Sequence, residues 1–199
     1  MKSIDFSGFE KKINTYFKDK FLLTQAFTHR SYLNEHSKTA LHHNERLEFL
    51  GDAVLELIVT EFLFEKYPHK TEGELTSFRA ALVNTNALAE VSGEIGINEY
   101  LLLSKGERQD TGKARQYILA NTFEALVGAL YLDQGYEVTR VFIATFLFPH
   151  LEKVLAERLW QDAKSRFQEK AQEVVGITPR YDVLEESGPD HNKLFVVGV

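Results

Sequence analysis

The sequence predicts a mostly α-helical protein whose chain ends in a further helix and a two-stranded β-hairpin. Up to about residue 160, apolar residues recur at helical spacing in about seven segments, without an internal repeat. After that point an amphipathic pattern over 163–175 is followed by two alternating segments, 180–186 and 193–199, around the turn residues 187–190. A helix and two strands bury little apolar surface by themselves, so we expect this second domain to be incomplete.

Length and composition fit a soluble globular protein. The chain has 199 residues and a mass of 22.8 kDa, enough for one domain plus a small second one. Its hydrophobic fraction of 44% and charged fraction of 26% exclude a wholly disordered or collagen-like chain. Because there is no cysteine, the sequence also excludes a disulfide framework, a thiolate metal site and a cysteine nucleophile.

Charge and hydropathy limit the partners and the location of the chain. The net charge of −6 offers no global basic surface, so binding to nucleic acid requires a local basic patch or metal ions. The longest apolar stretches, 125–132 and 141–148, are shorter than the ~20 residues of a transmembrane helix. The first residues lack the basic-then-apolar pattern of a signal peptide. We therefore expect a cytoplasmic protein that does not associate with a membrane.

Most helical segments are bounded by recognisable start and stop residues. Pro68 ends the longest periodic segment, and Thr71, followed by acids, provides an N-cap for the next helix. Gly135 ends the most apolar segment, and Pro149 is expected to kink or break the one after it. The polar segment 105–113, with two glycines, predicts a mobile loop. The predicted helices are 6–17, 21–32, 44–67, 71–95, 117–134, 138–159 and, in the second domain, 163–175.

Four carboxylates form an acidic stripe on the third predicted helix: Glu45, Glu48, Asp52 and Glu56. Their spacings of three, four and four residues place them on one helix face. A solvated face is the usual explanation of such a stripe. However, no lysine or arginine lies three or four residues from Glu48 or Asp52, although like charges at this spacing destabilise a helix by ~0.2–0.5 kcal/mol per pair. The segment is also so apolar that we expect it to be largely buried, with little open face for the acids.

Glu124 is the only charged residue in the apolar segment 117–132, and Asn121 lies one turn before it on the same face. A carboxylate in such a helix is costly unless a partner compensates it. One interpretation is a buried ion pair with an arginine such as Arg46 or Arg79. The other is a pair of facing helices, in which Glu124, Asn121 and acids of the stripe hold a hard divalent cation such as Mg²⁺ or Mn²⁺.

Residues 44–52, Asn-Glu-Arg-Leu-Glu-Phe-Leu-Gly-Asp, reproduce the nine-residue signature of the ribonuclease III family without a departure. Flanking segments that also resemble the family are 28–32, 72–76, 79–83 and 118–126, and segments 162–169 and 185–191 resemble the first helix and hairpin of a double-stranded-RNA-binding domain. The resemblance covers nearly the whole chain in the bacterial domain order. It implies an all-α endonuclease domain over 1–158, a linker at 159–162, and the truncated start of an α-β-β-β-α double-stranded-RNA-binding domain over 163–199.

The resemblance implies endonucleolytic hydrolysis of double-stranded RNA. Its products would carry 5′-phosphate and 3′-hydroxyl ends with short 3′ overhangs, and its substrates would include ribosomal, messenger and other structured RNA precursors. The implied cofactor is Mg²⁺, with Mn²⁺ able to substitute. Glu48, Asp52, Asn121 and Glu124 would be the metal ligands, and Asp52 and Glu124 the catalytic residues.

Asn121 departs from the family, which normally has Asp at this position. An amide oxygen still ligates a cation, but it carries no charge and is a weaker donor. The sequence leaves open whether Asn121 is a lineage variant that keeps activity, an engineered inactivation or a natural loss. Two alternatives to a nuclease therefore stay open: a protein that grips duplex RNA without cutting it, and a metal-dependent phosphohydrolase of small nucleotides, which the partial RNA-binding domain disfavours.

The resemblance also implies a homodimer in which each protomer cuts one strand. Phe49 would be an apolar knob that enters a socket on the partner, although an ordinary core position is the alternative. Glu45 would be structural or lie at the dimer edge. In the second domain, Gln168 and Glu169 would read the RNA minor groove and its 2′-hydroxyls, and His191 would enter the next minor groove.

Overall fold

The computed structural model describes residues 4–156, 163–189 and 193–199. The chain divides into two compact units, residues 1–160 and 161–199. Within residues 4–156 the backbone forms ten α-helices and a short 3₁₀ helix at Ile97–Glu99. The helices are α1 Ser7–Lys12, α2 Lys20–Ala26, α3 Arg30–Glu35, α4 Glu45–Lys66, α5 Glu72–Val83, α6 Thr85–Ile95, α7 Lys105–Gln109, α8 Lys113–Gln134, α9 Tyr136–Phe146 and α10 His150–Ala156.

The predicted all-α class of this unit is confirmed, but the unit has more helices than the predicted number of about seven. The predicted helix over 71–95 is two helices, because Asn84 adopts an extended backbone and its side chain accepts a hydrogen bond from the Ala87 N–H, which starts α6. The prediction of a loop over 105–113 is wrong for its first half. There the Ser104 side chain accepts from the Glu107 N–H and caps α7.

Two local predictions about helix ends hold. Thr71 caps α5 in a reciprocal capping box with Glu74, in which each side chain accepts a hydrogen bond from the other residue's backbone N–H. Gly135 follows α8 with a φ of 82°, a left-handed conformation that a residue with a Cβ adopts only with strain.

The core of the first unit is built around α8. Helices α2, α4, α6 and α9 all pack against it, so most residues of its middle part, 118–130, are buried. Helix α4 lies directly along α8, and the two have 22 residues each. Their backbones touch where Gly51 of α4 meets Gly128 of α8. This crossing brings the acidic stripe of α4 next to Glu124 of α8.

The second unit contains α11 Ala163–Val175 and an antiparallel pair of strands, β1 Asp182–Ser187 and β2 Leu194–Gly198. Asp182 pairs with Gly198 and Ser187 with Leu194, with one irregularity between Val183 and Glu185. These elements agree with the predicted helix and hairpin. None of the described helices is long and apolar enough to cross a lipid bilayer.

Candidate functional site

The start of α4 is fixed by Asn44, a buried residue one position before the helix. Its side-chain Nδ2 donates to the carbonyl of Ala26 at 3.2 Å, and its backbone N–H donates to the carbonyl of Thr28 at 3.0 Å. Its own carbonyl accepts from the backbone N–H of Glu48 at 2.9 Å. The acids of α4 are therefore placed by a buried anchor rather than by a free helix end.

Helices α4 and α8 bring three carboxylates together. Burial, followed by the negative charges of Asp52 and Glu48, raises the pKa of Glu124 to about 7. Burial, followed by the charges of Glu45 and Asp52, also raises the pKa of Glu48. Glu48 and Glu124 are half-buried and Asp52 is exposed, so the group is open to solvent on one side. Asn121, also half-buried, lies one turn before Glu124.

Within residues 4–156, 163–189 and 193–199, these carboxylates have no compensating cation. Among the described residues, none forms a hydrogen bond or ion pair with the side chain of Glu48, Asp52 or Glu124. Arg79, one of the arginines considered for Glu124, donates instead to Thr60 Oγ1 at 2.9 Å and lies 4.0 Å from a carboxylate oxygen of Glu56. The interpretation of Glu124 as half of a structural ion pair is therefore not supported by the described residues.

The outer acids of the stripe behave differently from the inner ones. Glu56 has Arg79 as a neighbour, and Glu45 lies 3.7 Å from both Arg30 and the Nδ1 of His43. Glu48 and Asp52 lie between them on the same helix without such partners. The uncompensated negative charge is thus confined to the middle of the stripe, opposite Glu124, and this is where a cation would be most favoured.

The donor set suits a hard divalent cation with water in its shell. Carboxylate and amide oxygens are the ligands that Mg²⁺ prefers, and Mg²⁺ usually keeps several waters with one or two carboxylates. Direct ligands of one Mg²⁺ are at most about 4.2 Å apart. Across the described residues, Glu48, Asp52 and Glu124 do not supply three oxygens that all lie within 4.8 Å of one another. A single ion would therefore be held directly by part of the set and through water by the rest.

A second cluster does meet that spacing: Glu90, Glu94 and His150 place ligand atoms within 4.8 Å of one another. Here, however, both acids already have partners, one of which is a lysine. Lys153 Nζ donates to Glu90 at 2.7 Å, and His150 Nε2 lies 3.1 Å from a carboxylate oxygen of Glu94. These contacts join α6 to α10, so the cluster is explained as an ion-pair network that stabilises the helix packing.

Phe49 does not lie in the core. Its side chain is 82% exposed, on a different side of α4 from the neighbouring Glu48. Leu57 and Phe64 of the same helix are also exposed, at 57% and 71%. The expectation that α4 is largely buried is therefore wrong, since it keeps an open face with both acids and apolar side chains. Sequence hydropathy did not distinguish these outward apolar residues from the core ones.

Phe49 borders an open groove with a volume of about 640 Å³. Leu22 and Leu132 contribute apolar walls, and Glu45 and Arg46 lie on its polar side. Large exposed apolar side chains beside an apolar groove are typical of a protein interface.

The predicted RNA-contacting residues are only partly described. Gln168 lies on α11 and is half-buried. The side chain of Glu169 and the whole of His191 lie outside the described residues.

Comparison with known proteins identifies the family. The family model described as Ribonuclease-III-like matches residues 19–151. The chain is 46% identical over 194 residues to "Ribonuclease 3" of Geobacillus thermodenitrificans, covering 98% of this chain and 78% of that protein. It is 47% identical over 191 residues to "Ribonuclease 3" of Bdellovibrio bacteriovorus, covering 96% and 81%.

A solved structure gives the same result for the first unit. The nuclease domain of ribonuclease III from Campylobacter jejuni, described as flexible in a region involved in dimer formation, superposes with a TM-score of 0.66 and 37% identity. The match covers 73% of this chain and 99% of that one. The signature in α4, the carboxylates where α4 crosses α8 and these similarities together show that the chain belongs to the ribonuclease III family.

Proposed function

We propose that this chain is a divalent-metal-dependent endoribonuclease that cuts double-stranded RNA. The observation that carries the proposal is the set of three uncompensated carboxylates, Glu48 and Asp52 on α4 and Glu124 on α8, in a chain of this family. A cluster of like charges without a cation lowers stability unless it binds something positive. Because the chain belongs to the ribonuclease III family, we propose that this cation takes part in RNA cleavage.

The residues of the cluster have distinct parts in this proposal. Bound Mg²⁺ or Mn²⁺ supplies an activated water and neutralises charge on the scissile phosphate. Asp52 is exposed and presents its carboxylate to the solvent side, where RNA arrives. Glu124 is half-buried, and burial and the charges of Asp52 and Glu48 raise its pKa to about 7 in the metal-free site. A bound cation would lower this pKa, so Glu124 would take part as a carboxylate ligand. Glu48 completes the carboxylate set and orients water.

Asn121 contributes an uncharged oxygen. With Asp at this position the set would carry four negative charges, whereas this chain carries three. We propose that Asn121 ligates through its amide oxygen and that the site consequently binds its cation more weakly than a four-carboxylate site, because charge count sets the affinity for hard cations. Activity is retained at higher concentrations of Mg²⁺.

Cleavage of both strands requires two sites, and we propose a homodimer that supplies them. The exposed Phe49 and its groove would form the contact, with Glu45 at the edge. The description of the Campylobacter jejuni nuclease domain, which refers to dimer formation, supports this arrangement. Two offset cuts would leave 5′-phosphate and 3′-hydroxyl ends with short 3′ overhangs.

We propose that residues 1–158 form the catalytic domain, 159–162 the linker and 163–199 the RNA-binding part. In that last part Gln168, Glu169 and His191 would contact minor grooves. The natural substrates would be ribosomal and messenger RNA precursors in the cytoplasm.

A second function is favoured by Asn121 alone. A site with too little charge to hold its cation would leave a protein that binds duplex RNA without cutting it. One experiment separates the two: end-labelled duplex RNA and the matching single strand are incubated with the protein over a range of Mg²⁺ concentrations and resolved on denaturing and native gels. Mg²⁺-dependent cutting of the duplex, blocked by EDTA, supports the nuclease. A native-gel shift without cutting at any Mg²⁺ concentration supports the binding protein.

A further inference from the structure

Gly51 and Gly128 lie against each other's helix in a reciprocal way. A Cβ atom added to Gly51 would lie 1.7 Å from the carbonyl oxygen of Glu124, and one added to Gly128 would lie 2.2 Å from the carbonyl oxygen of Leu47. Each contacted carbonyl belongs to the residue four positions before the opposite glycine. The two helix backbones therefore touch directly at this crossing, at a separation that only hydrogen atoms on both Cα positions allow.

Helix geometry does not explain these glycines. Both lie inside long helices, and neither has a positive φ, unlike Gly96 and Gly135. A glycine in a helix interior costs ~1 kcal/mol relative to alanine, so each of them weakens its own helix. Close packing is the gain that offsets this cost, since a Cα hydrogen directed at a carbonyl oxygen also forms a weak hydrogen bond.

The crossing coincides with the carboxylate cluster. Gly51 precedes Asp52 in the chain, and the carbonyl it touches belongs to Glu124 itself. Leu47, whose carbonyl Gly128 touches, precedes Glu48. The backbone atoms that touch are thus those of the metal-site residues or of their immediate neighbours. Any change in the separation of the helices moves the carboxylates of α4 relative to that of α8.

We infer that Gly51 and Gly128 are positioning residues that set the separation between the acids of α4 and Glu124. A Cβ at Gly51 would have to retreat by about 1.3 Å to reach 3.0 Å, below which real Cβ contacts are essentially not found. A displacement of about 1 Å in a catalytic group is enough to cost about 100-fold in rate. The inference rests on the proposed function only in taking these carboxylates as the ligands of a divalent cation.

The test measures Mn²⁺ binding to the whole chain without RNA, by calorimetry or by the electron paramagnetic resonance signal of free Mn²⁺. The variants are Gly51→Ala and the milder Gly128→Ala. The matched control is Gly93→Ala in α6, where an added Cβ meets nothing within 4 Å. The Mn²⁺ binding that is lost in Glu124→Gln is the binding at this site, as distinct from Mn²⁺ bound elsewhere on the chain. Circular dichroism and thermal melting establish that each variant is folded.

We expect Mn²⁺ to bind about 10–100-fold more weakly to both crossing variants, the range observed when the support of a metal ligand is lost. Gly93→Ala should bind as the parent does. In duplex cleavage the crossing variants should lose kcat while KM for RNA is unchanged, because the RNA-binding surface is not altered. Because a fraction of unfolded chain would also lower the apparent kcat at unchanged KM, kcat is calculated per folded chain, with the folded fraction taken from circular dichroism and melting.

Several outcomes would overturn the inference: parental Mn²⁺ affinity in a folded Gly128→Ala chain, loss of the fold in both crossing variants, or parental Mn²⁺ binding that does not depend on Glu124. Failure of the proposed function is distinguishable, because a parent that binds Mn²⁺ through Glu124 but does not cut RNA contradicts only the nuclease. In that case the effect of the glycines on Mn²⁺ binding still decides the inference.

Discussion

Glu124 on α8 lies close enough to Asp52 on α4 for the charge of Asp52 to be, after burial, the largest cause of the raised Glu124 pKa. Within the described parts of the chain, neither carboxylate has a cation beside it. A protein that keeps like charges together in this way gives up stability in return for affinity toward a positive ligand. The relationship predicts how the chain responds to mutation, to pH and to divalent ions.

Glu124→Gln should abolish cleavage while duplex binding persists. The change removes a charged ligand but keeps the shape of the side chain and leaves the RNA-binding part untouched. We expect kcat to fall by more than about 100-fold. Mutation of a residue that only hydrogen-bonds to a metal ligand costs about 10–100-fold, and loss of the ligand itself should cost more. Glu65→Gln, at an exposed position of α4, is the matched control. Single-turnover cleavage and native-gel binding are measured together. Cleavage by Glu124→Gln at the parental rate would rule out this site.

The same carboxyl group should make stability depend on pH. Its folded pKa of about 7 lies above the ordinary glutamate value of 4.5, so the folded state holds the proton more tightly than the unfolded state does. The resulting stabilisation is complete below about pH 4.5 and is lost as the pH rises through 7. Glu48, whose pKa is also raised, acts in the same direction. Without divalent ions, the contribution of Glu124 and Glu48 to the free energy of unfolding of the parent should therefore decrease between pH 5 and pH 8.

Glu124→Gln isolates this effect because glutamine does not titrate. We expect it to melt at a higher temperature than the parent at pH 8 and at the same temperature near pH 4. Allowing for solvent screening, the difference is on the order of 1 kcal/mol, or about 2–4 °C for a chain of this size. Mg²⁺ should raise the melting temperature of the parent at pH 8 more than that of the variant. A parent that gains stability over the variant as the pH rises would contradict the proposed electrostatics.

Asn121→Asp should strengthen metal binding. A fourth carboxylate raises the affinity of the set for a hard cation, so half-maximal cleavage should require roughly tenfold less Mg²⁺. In EDTA the same variant should melt at a lower temperature than the parent, because the new charge adds to the repulsion around Glu124. Asn86→Asp, at an exposed position of α6, controls for the change in net charge. Lower activity of Asn121→Asp across the whole Mg²⁺ range would show instead that the site is adapted to the amide.

Local sequence signals predicted the helix boundaries that depend on neighbouring residues. Thr71 and Glu74 form their capping box with each other, and Gly135 ends α8 through its own backbone conformation. The boundaries that were missed depend on other signals. The polar residues before Tyr117 carry no apolar period, so the start of α8 at Lys113 was not predicted. The break between α5 and α6 at Asn84 was not predicted, because apolar residues continue on both sides of Asn84.

The part of the site that was predictable from the sequence is the part marked by an isolated charge. Glu124 is the only charged residue in the apolar segment 117–132, and a charge in that position requires an explanation whatever the fold. The contact of Gly51 with Gly128 was not predictable, because sequence patterns treat a helical glycine only as a weakness of its own helix. The family resemblance predicted an outward Phe49, but hydropathy could not, since an apolar side chain facing solvent has the same hydropathy as one facing the core.

The exposure of Phe49 makes the dimer directly testable. A side chain that is 82% exposed contributes little to the core, so Phe49→Ala should leave the melting temperature of the nuclease unit nearly unchanged. If Phe49 enters a pocket on a second copy, its loss should cost about 2 kcal/mol or more of association free energy, as for the central aromatic residues of other interfaces. This is at least about a 30-fold increase in the dimer dissociation constant.

Sedimentation at low micromolar concentration, with circular dichroism in parallel, measures both quantities. Val141→Ala, at a position of α9 that is 58% exposed, is the control for removal of an outward apolar side chain. A folded monomer for Phe49→Ala, beside a dimer for Val141→Ala, is the expected result. An unfolded chain would make Phe49 a core residue despite its exposure, and an unchanged dimer would place the interface on another surface. If each protomer cuts one strand, as proposed, the monomer should also lose coordinated cutting of both strands, and any remaining products should carry single-strand nicks.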